Sequence, residues 1–388
     1  MITMLNACTT EIDDPDDAVA DILGQLDLDK RLLKNAVGII ACFSECIVTG
    51  VVAALCERLP FDVVGCTTTG NSACGKYGRE LLSLAVLTSD DTSFATAMSE
   101  PLSHNKIIAP LSTAYNAARQ GREPDFILAY APLMFSMGEH AIAGSVIFNS
   151  FNTVVGGKPL FGTFSCDHTL NCSESRVLRN GEAAIDTAAM ILMFGKVNPR
   201  FYVTAIPEVN ITRQTAVITN SEGTLLKELN GMSPVSYMET LGITRKSMEV
   251  GGVIALMLNY NDGTDPVVLG IYGITPEGYL VCGGDVPVNA LLSVGSLNYH
   301  GVLESTETTI QKISGAGEVN GILMYPCLSR KLMLGQNADD EMKKVFELIG
   351  DRYPYQLCYA GGEICPLLDE QGKPVNRFHN YSFILCVL

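Results

Sequence analysis

Val37-Gly38-Ile39-Ile40-Ala41-Cys42-Phe43 carries no charge, and it is followed by a helical pattern over 44–59 and a second short apolar run over 61–65. Short apolar runs bounded by turn residues read as buried strands, and strand–helix–strand alternation is the pattern of α/β architecture. Ser44 is a candidate cap for the intervening helix. Working outward, strands are expected at 2–8, 81–88, 94–98, 126–130 and 158–166. Helices are expected at 18–26, after the acidic start Pro15-Asp16-Asp17, at 111–120 and at 138–151. Beyond Arg176 the texture turns to strands, at 183–194, 201–206 and 214–219, then a short helix from Ser233-Pro234 through Thr240. Strands follow at 253–258, 267–273, 279–282 and 285–293. Helices at 301–313 and 339–348, the second capped by Asn337 or Asp339, and strands at 357–360 and 383–388 close the chain.

At 388 residues the chain exceeds the size at which one core keeps growing, so two related lobes with mixed β-sheets packed together and helices outside are expected. The softest boundary lies at 220–240, giving parts 1–230 and 231–388, and a strand from one part can complete the other's sheet. Hydrophobic residues at 47% against 18% charged supply a large core and exclude disorder. A net charge of −16 makes nucleic acid and anionic membrane surfaces poor partners. No apolar run approaches the roughly 20 residues of a membrane span, and the N-terminus lacks a basic leader region. Thirteen cysteines, an odd number without a compact spacing framework, read as reduced and buried thiols in a bacterial or archaeal cytoplasm.

Several motifs carry chemistry. Gly65-Cys66-Thr67-Thr68-Thr69-Gly70-Asn71-Ser72 is close to a phosphate-binding loop, but Asn71 stands where that loop needs lysine. What remains is a strand exit presenting the Thr67 and Thr68 hydroxyls and free N–H groups, either to a polar ligand or as a plain tight turn. In the last 65 residues Cys327-Leu328-Ser329-Arg330 is followed by Gly361-Gly362-Glu363-Ile364 and His379-Asn380, all flanked by apolar strands. A buried Arg330 needs an anionic partner. Glu363 is the expected one, while a ligand carboxylate suits the guanidinium fork equally, and both hold if Glu363 orients Arg330. Gly362 lets a backbone or ligand approach closely. His379 is a ligand contact or a satisfied core histidine, and Asn380 a ligand contact or a turn former.

Cys166-Asp167-His168 with Cys172 resembles half a zinc site, without a second local ligand pair. A nucleophilic Cys327 or Cys166 with His379 or His168 as base is the enzymatic alternative.

The threonine-rich turn, the strand over 81–88 that runs on to Ser89-Asp90-Asp91, and the ordered series Cys327…Arg330, Gly361-Gly362-Glu363-Ile364 and His379-Asn380 together resemble the FIST family of small-ligand sensory proteins over nearly the whole chain. One departure is Gly70-Asn71, where the family usually has Gly-Glu. The resemblance implies an N-terminal part (1–230), a C-terminal part (231–388) and a cytoplasmic sensor rather than an enzyme. It implies an amino acid or other small carboxylate at Thr67, Thr68, Cys327, Arg330, Gly362, Glu363, His379 and Asn380. It also implies a signalling partner in trans, such as a histidine kinase. No cofactor is expected. Haem is the alternative, because some relatives sense nitric oxide with it, and five histidines (His104, His140, His168, His300, His379) could ligate iron.

Overall fold

A computed structural model describes residues 1–134, 141–169, 171–249 and 253–388. The 37–43 run forms the strand Asn35–Cys42, parallel to Val63–Thr67, and the two sit inside a six-stranded mixed sheet. Its remaining members are Ile2–Thr9, Leu82–Ser89, Val177–Arg179 and Glu182–Ala184. Helices Pro15–Leu26 and Val51–Arg58 cover one face, where Ile22, Val52 and Leu55 pack on Ile40 and Leu84. Asp14 caps the first helix, its Oδ1 accepting from the Asp16 and Asp17 N–H groups at 3.0 and 3.1 Å. The single helix expected over 44–59 is two, Glu45–Val48 and Val51–Arg58, because Gly50 takes a left-handed φ of 85° between them. Ser44 caps neither; its hydroxyl lies 3.4 Å from His168 Nδ1.

Two further six-stranded sheets are built jointly by both halves of the chain. One runs Pro374–His379, Glu363–Leu368, Leu160–Phe164, Phe126–Ala131, Ala189–Phe194, Ser93–Met98. The other runs Arg200–Thr204, Phe383–Val387, Ile322–Pro326, Tyr355–Cys358, Asn71–Ala73, Lys76–Gly78. The hairpin Asn71–Gly78 is thus an N-terminal element finishing a largely C-terminal sheet, with Ser72 opposite Leu357. The inner faces of all three sheets meet in one core around Val64, Tyr130, Phe161, Ile191, Tyr325 and Ile384. Helices Ile108–Arg119, Gly144–Val155, Tyr299–Gln311 and Asp340–Ile349 cover the outer faces of the second and third sheets. The expected α/β architecture of mixed sheets with helices outside is what the chain forms. The expected start of the helix over 138–151 lies partly outside the described residues.

The segment between Arg200–Thr204 and Tyr299–Gln311 is a closed six-stranded barrel. Its order is Ile211–Glu222, Leu225–Leu229, Leu280–Cys282, Val267–Ile274, Ile254–Asn259, Leu291–Ser296. The 220–240 region therefore lies inside a physical unit: the strand Leu225–Leu229 and the helix Pro234–Thr240, capped by Ser233, both pack on the barrel core. Strands Glu363–Leu368 and Pro374–His379 are absent from the sequence expectations, since Pro366 and Pro374 argue against strand interiors. Asp339 precedes the helix Asp340–Ile349 without capping it and instead stands 3.9 Å from Lys331.

Candidate functional site

Pro326 ends its strand, and the short helix Leu328–Leu334 begins just beyond it, placing Arg330 in the first turn under the helix Tyr299–Gln311. Arg330 is 0% exposed, and its anionic partner is Glu341, not Glu363. Glu341 Oε1 accepts from Arg330 Nε at 2.9 Å and Nη2 at 2.7 Å. Nη2 also reaches the Val302 carbonyl, Ser305 Oγ and Thr306 Oγ1 at 2.8 to 2.9 Å, while Nη1 donates to the carbonyls of Ala205 and Tyr381. The far oxygen of Glu341 accepts from the Tyr359 hydroxyl at 2.9 Å. Every guanidinium nitrogen is engaged inside the protein, so Arg330 has no free fork for a ligand carboxylate. The expected partner fails because Glu363 is tethered at the start of its own strand, with one carboxyl oxygen accepting from the Ser382 N–H at 3.2 Å.

Glu363 instead sits beside Cys327. The other Glu363 oxygen is buried without a hydrogen-bond acceptor or donor at bonding geometry, and the Cys327 thiol is its neighbour. Burial holds the Glu363 carboxyl well above the usual carboxylate range, with Cys327 and Ser382 opposing the rise. Burial, then the adjacent Glu363, push the Cys327 thiol well above its ordinary value. A neutral acid beside a neutral thiol is a poor nucleophilic pair, since the thiolate is the reactive form. His379 is equally unsuited to act as base. It is buried, its Nε2 pairs with the Cys365 carbonyl at 3.0 Å, and desolvation lowers its pKa to about 4. Cys166 Sγ lies 3.1 Å from the Tyr359 carbonyl, and burial raises its thiol too.

The threonine turn is internally satisfied. Thr67 Oγ1 accepts from the Arg176 N–H at 2.8 Å, and Thr68 Oγ1 donates to the Tyr359 carbonyl at 2.9 Å. Both residues are buried, and the Tyr359 N–H returns a bond to the Gly70 carbonyl at 3.1 Å. The turn therefore anchors the segment leading into Gly361-Gly362 rather than opening to solvent.

Asn380 is the stitch between sheet and barrel. Its N–H donates to the Val268 carbonyl at 3.0 Å, and its Oδ1 accepts from the Gly270 N–H at 3.1 Å. Gly283 of the barrel comes so close that a Cβ there would lie 2.1 Å from Asn380 Oδ1. Arg377 adds an ion pair to Asp262, and Asn149 donates to Asp285 at 2.6 Å.

Along this seam lies a cavity of about 370 Å³. The barrel supplies Thr224, Tyr272, Val281, Cys282 and Gly283; the sheets and their covering helix supply Leu133, Ala143, Gly144, Gly361 and Phe378. Tyr272 lines this space and is 54% exposed, and desolvation of its hydroxyl end, then the nearby Cys327, Tyr381 and Glu363, push the phenol pKa well above its ordinary value. The lining takes Gly361 and Phe378 from the segments that carry the sequence-predicted residues, but none of those eight residues themselves. Asn380 stands behind Gly283, and Gly362 packs on Phe378. Sequence reasoning missed Tyr272 and the Gly283-Gly284 pair. The available signal was the repetition of a Gly-Gly step, at 283–284 and at 361–362, each beside an apolar strand.

Among the described residues no group of three or more His, Cys, Asp or Glu is placed to hold a metal. None of the described histidines lines the cavity: His104 and His300 are exposed, His168 packs on Phe43, and His379 is committed to Cys365. His140 lies outside the described residues. No described helix is long and apolar enough to cross a membrane.

Comparison with known proteins gives two profile matches, to the FIST N domain over residues 37–232 and to the FIST C domain over 234–366. No curated protein matches. Among solved structures, "Cyanuric acid hydrolase: evolutionary innovation by structural concatenation" aligns at 9% identity with a TM-score of 0.35, covering 100% of this chain and 98% of the other. A cyanuric acid hydrolase from A. caulinodans aligns at 9% identity and a TM-score of 0.38, covering 100% and 99%.

Proposed function

The chain belongs to the FIST family, whose domains are associated with small-ligand sensing and signal transduction, and on that premise we propose that its ligand occupies the cavity between barrel and sheets. One observation carries this: the cavity's two walls come from two bodies joined by two chain crossings, at 205–210 and 297–298, and by the Asn380 and Arg377 stitches. A ligand that bridges such walls has different affinity for different settings of barrel on sheets, which is the only way binding transmits a signal.

The lining also speaks to ligand class. Leu133, Val281, Cys282 and Phe378 are apolar, Thr224 and Tyr272 bring hydroxyls, and Gly283 and Gly361 bring accessible backbone. Among the described residues no Lys or Arg lines the space, and Arg330 is saturated by Glu341 and its neighbours. This favours a small, mostly apolar molecule with one or two hydrogen-bonding groups over a free amino acid or carboxylate. A volume of about 370 Å³ suits a molecule at the small end of ordinary ligand pockets. Output passes to a partner in trans, a histidine kinase being the kind the family resemblance suggests.

The test is a thermal-shift screen of wild type and a Val281→Trp variant. Compounds include amino acids, small carboxylates, neutral phenols and amides, nucleotides and haem. A ligand at 100 times its Kd stabilises the native state by about 2.7 kcal/mol. We expect neutral compounds to raise the melting temperature of wild type and not of Val281→Trp, in which the indole fills the space. Hits confined to carboxylates or haem, or hits unaffected by the substitution, would sink the proposal.

A further inference from the structure

We propose that Cys74 is a thiol modification site and that Cys8 is its partner, the two forming a disulfide when a small hydroperoxide reaches them. Of thirteen cysteines, Cys74 alone is exposed. It occupies the first position of the two-residue turn joining Asn71–Ala73 to Lys76–Gly78, with φ of 52°, followed by Gly75 at 74°. Such a turn requires left-handed backbone at both positions and ordinarily takes Asn-Gly. A cysteine there is conformationally costly, and its placement fixes where the sulfur lies.

That sulfur meets Cys8. The buried Cys8, on the strand Ile2–Thr9, lies with its Sγ 3.5 Å from the carbonyl of Ala73, the residue before Cys74, and packs with Ala73 and Leu81. Cys74 follows Ala73 directly in the chain, and its side chain interacts with the Cys8 thiol. That interaction, ahead of the opposing effect of burial and with a smaller contribution from Lys76, lowers the Cys8 thiol, while Cys74 holds its own proton more tightly. Cys8 is thus the more acidic sulfur of the pair and draws the Cys74 proton toward itself, while Cys74 is the more accessible one. Cys74 also lines an open cavity of about 310 Å³ beside Arg31 and Tyr353, which gives a small oxidant access.

The chemistry balances. The Cys74 sulfur, its proton drawn toward Cys8, attacks one oxygen of the hydroperoxide, the O–O bond breaks, and the alcohol (or water) leaves with that proton, giving Cys74 sulfenic acid. Cys8 sulfur then attacks the Cys74 sulfur, the S–O bond breaks, and water leaves with the Cys8 proton. Two thiols have lost two electrons to the peroxide. The disulfide fastens the Ile2–Thr9 strand to the hairpin, whose strand Asn71–Ala73 pairs with Tyr355–Cys358 just ahead of Gly361.

The experiment treats the purified full chain with stoichiometric hydrogen peroxide, alkylates it under denaturing conditions and counts free thiols by intact mass. We expect two of thirteen thiols to be lost, mapped to Cys8 and Cys74 and recovered with dithiothreitol. Cys74→Ser, an exposed and fold-neutral change, should abolish the loss. Cys8→Ala should leave Cys74 as a sulfenic acid trapped by dimedone, and Cys56→Ser should behave as wild type. A two-thiol loss that survives Cys74→Ser, a dimedone adduct on wild-type Cys74 without linkage to Cys8, or thirteen thiols untouched would each overturn the proposal.

Discussion

Replacing Arg330 with Met removes a charge that makes seven hydrogen bonds and leaves Glu341 buried with only Thr306 and Tyr359 as donors. Breaking a buried pair by deleting one partner costs about 3–5 kcal/mol, because the remaining ion is uncompensated. Both side chains are fully buried, so solvent screening does not reduce that figure. Glu341→Leu should cost a similar amount by the mirror-image argument. The double variant, with no stranded charge, should cost less than either single change, a coupling that a double-mutant cycle reads directly. Urea unfolding followed by circular dichroism and tyrosine fluorescence gives the four stabilities. Single-variant costs below about 1 kcal/mol, or effects that simply add, would refute the assignment of Arg330 as an internal tether. So would an Arg330→Met protein of wild-type stability that had lost ligand binding.

Other substitutions probe the neighbouring groups. His379 has its pKa lowered to about 4 in the fold, against about 6.5 unfolded, so the unfolded chain binds the proton first. Stability should therefore fall by about 3 kcal/mol as pH drops from 6.5 to 4, and His379→Gln should lose that slope in urea titrations at several pH values. Glu363 has the opposite sign. Its folded pKa lies above the unfolded one, so stability is full below about 4.5 and declines as pH rises through the folded value. Glu363→Gln should be more stable than wild type at pH 8, with the gap closing toward pH 4.5. Gly283→Ala drives a Cβ into Asn380 Oδ1 and breaks its bond to Gly270; a loss of about 1–3 kcal/mol is expected by thermal unfolding.

Most sheet strands were legible because they are short apolar runs between turn residues, and the 37–65 stretch alone points to α/β. The barrel was not. Its strands were found nearly one by one, but closure depends on pairing Ile211–Glu222 with Leu291–Ser296 across some seventy residues, which no local pattern encodes. Arg330 was readable as a buried charge in need of a partner, but the partner is Glu341 and not the expected Glu363. Glu341 falls on the stripe 341, 345, 349 that the helix Asp340–Ile349 buries, so its burial was written in the spacing. The cavity depends on two Gly-Gly steps and Tyr272 arriving from segments far apart in sequence, and only the fold brings them together.

The most direct test of a ligand site at the barrel–sheet seam is a crystal structure of the protein with a compound that stabilises it in the thermal screen. We predict density bounded by Tyr272, Val281, Gly361 and Phe378, with Arg330 still paired to Glu341. Density that displaces Glu341 from Arg330, or lies away from the seam with this cavity empty, would contradict the central claim.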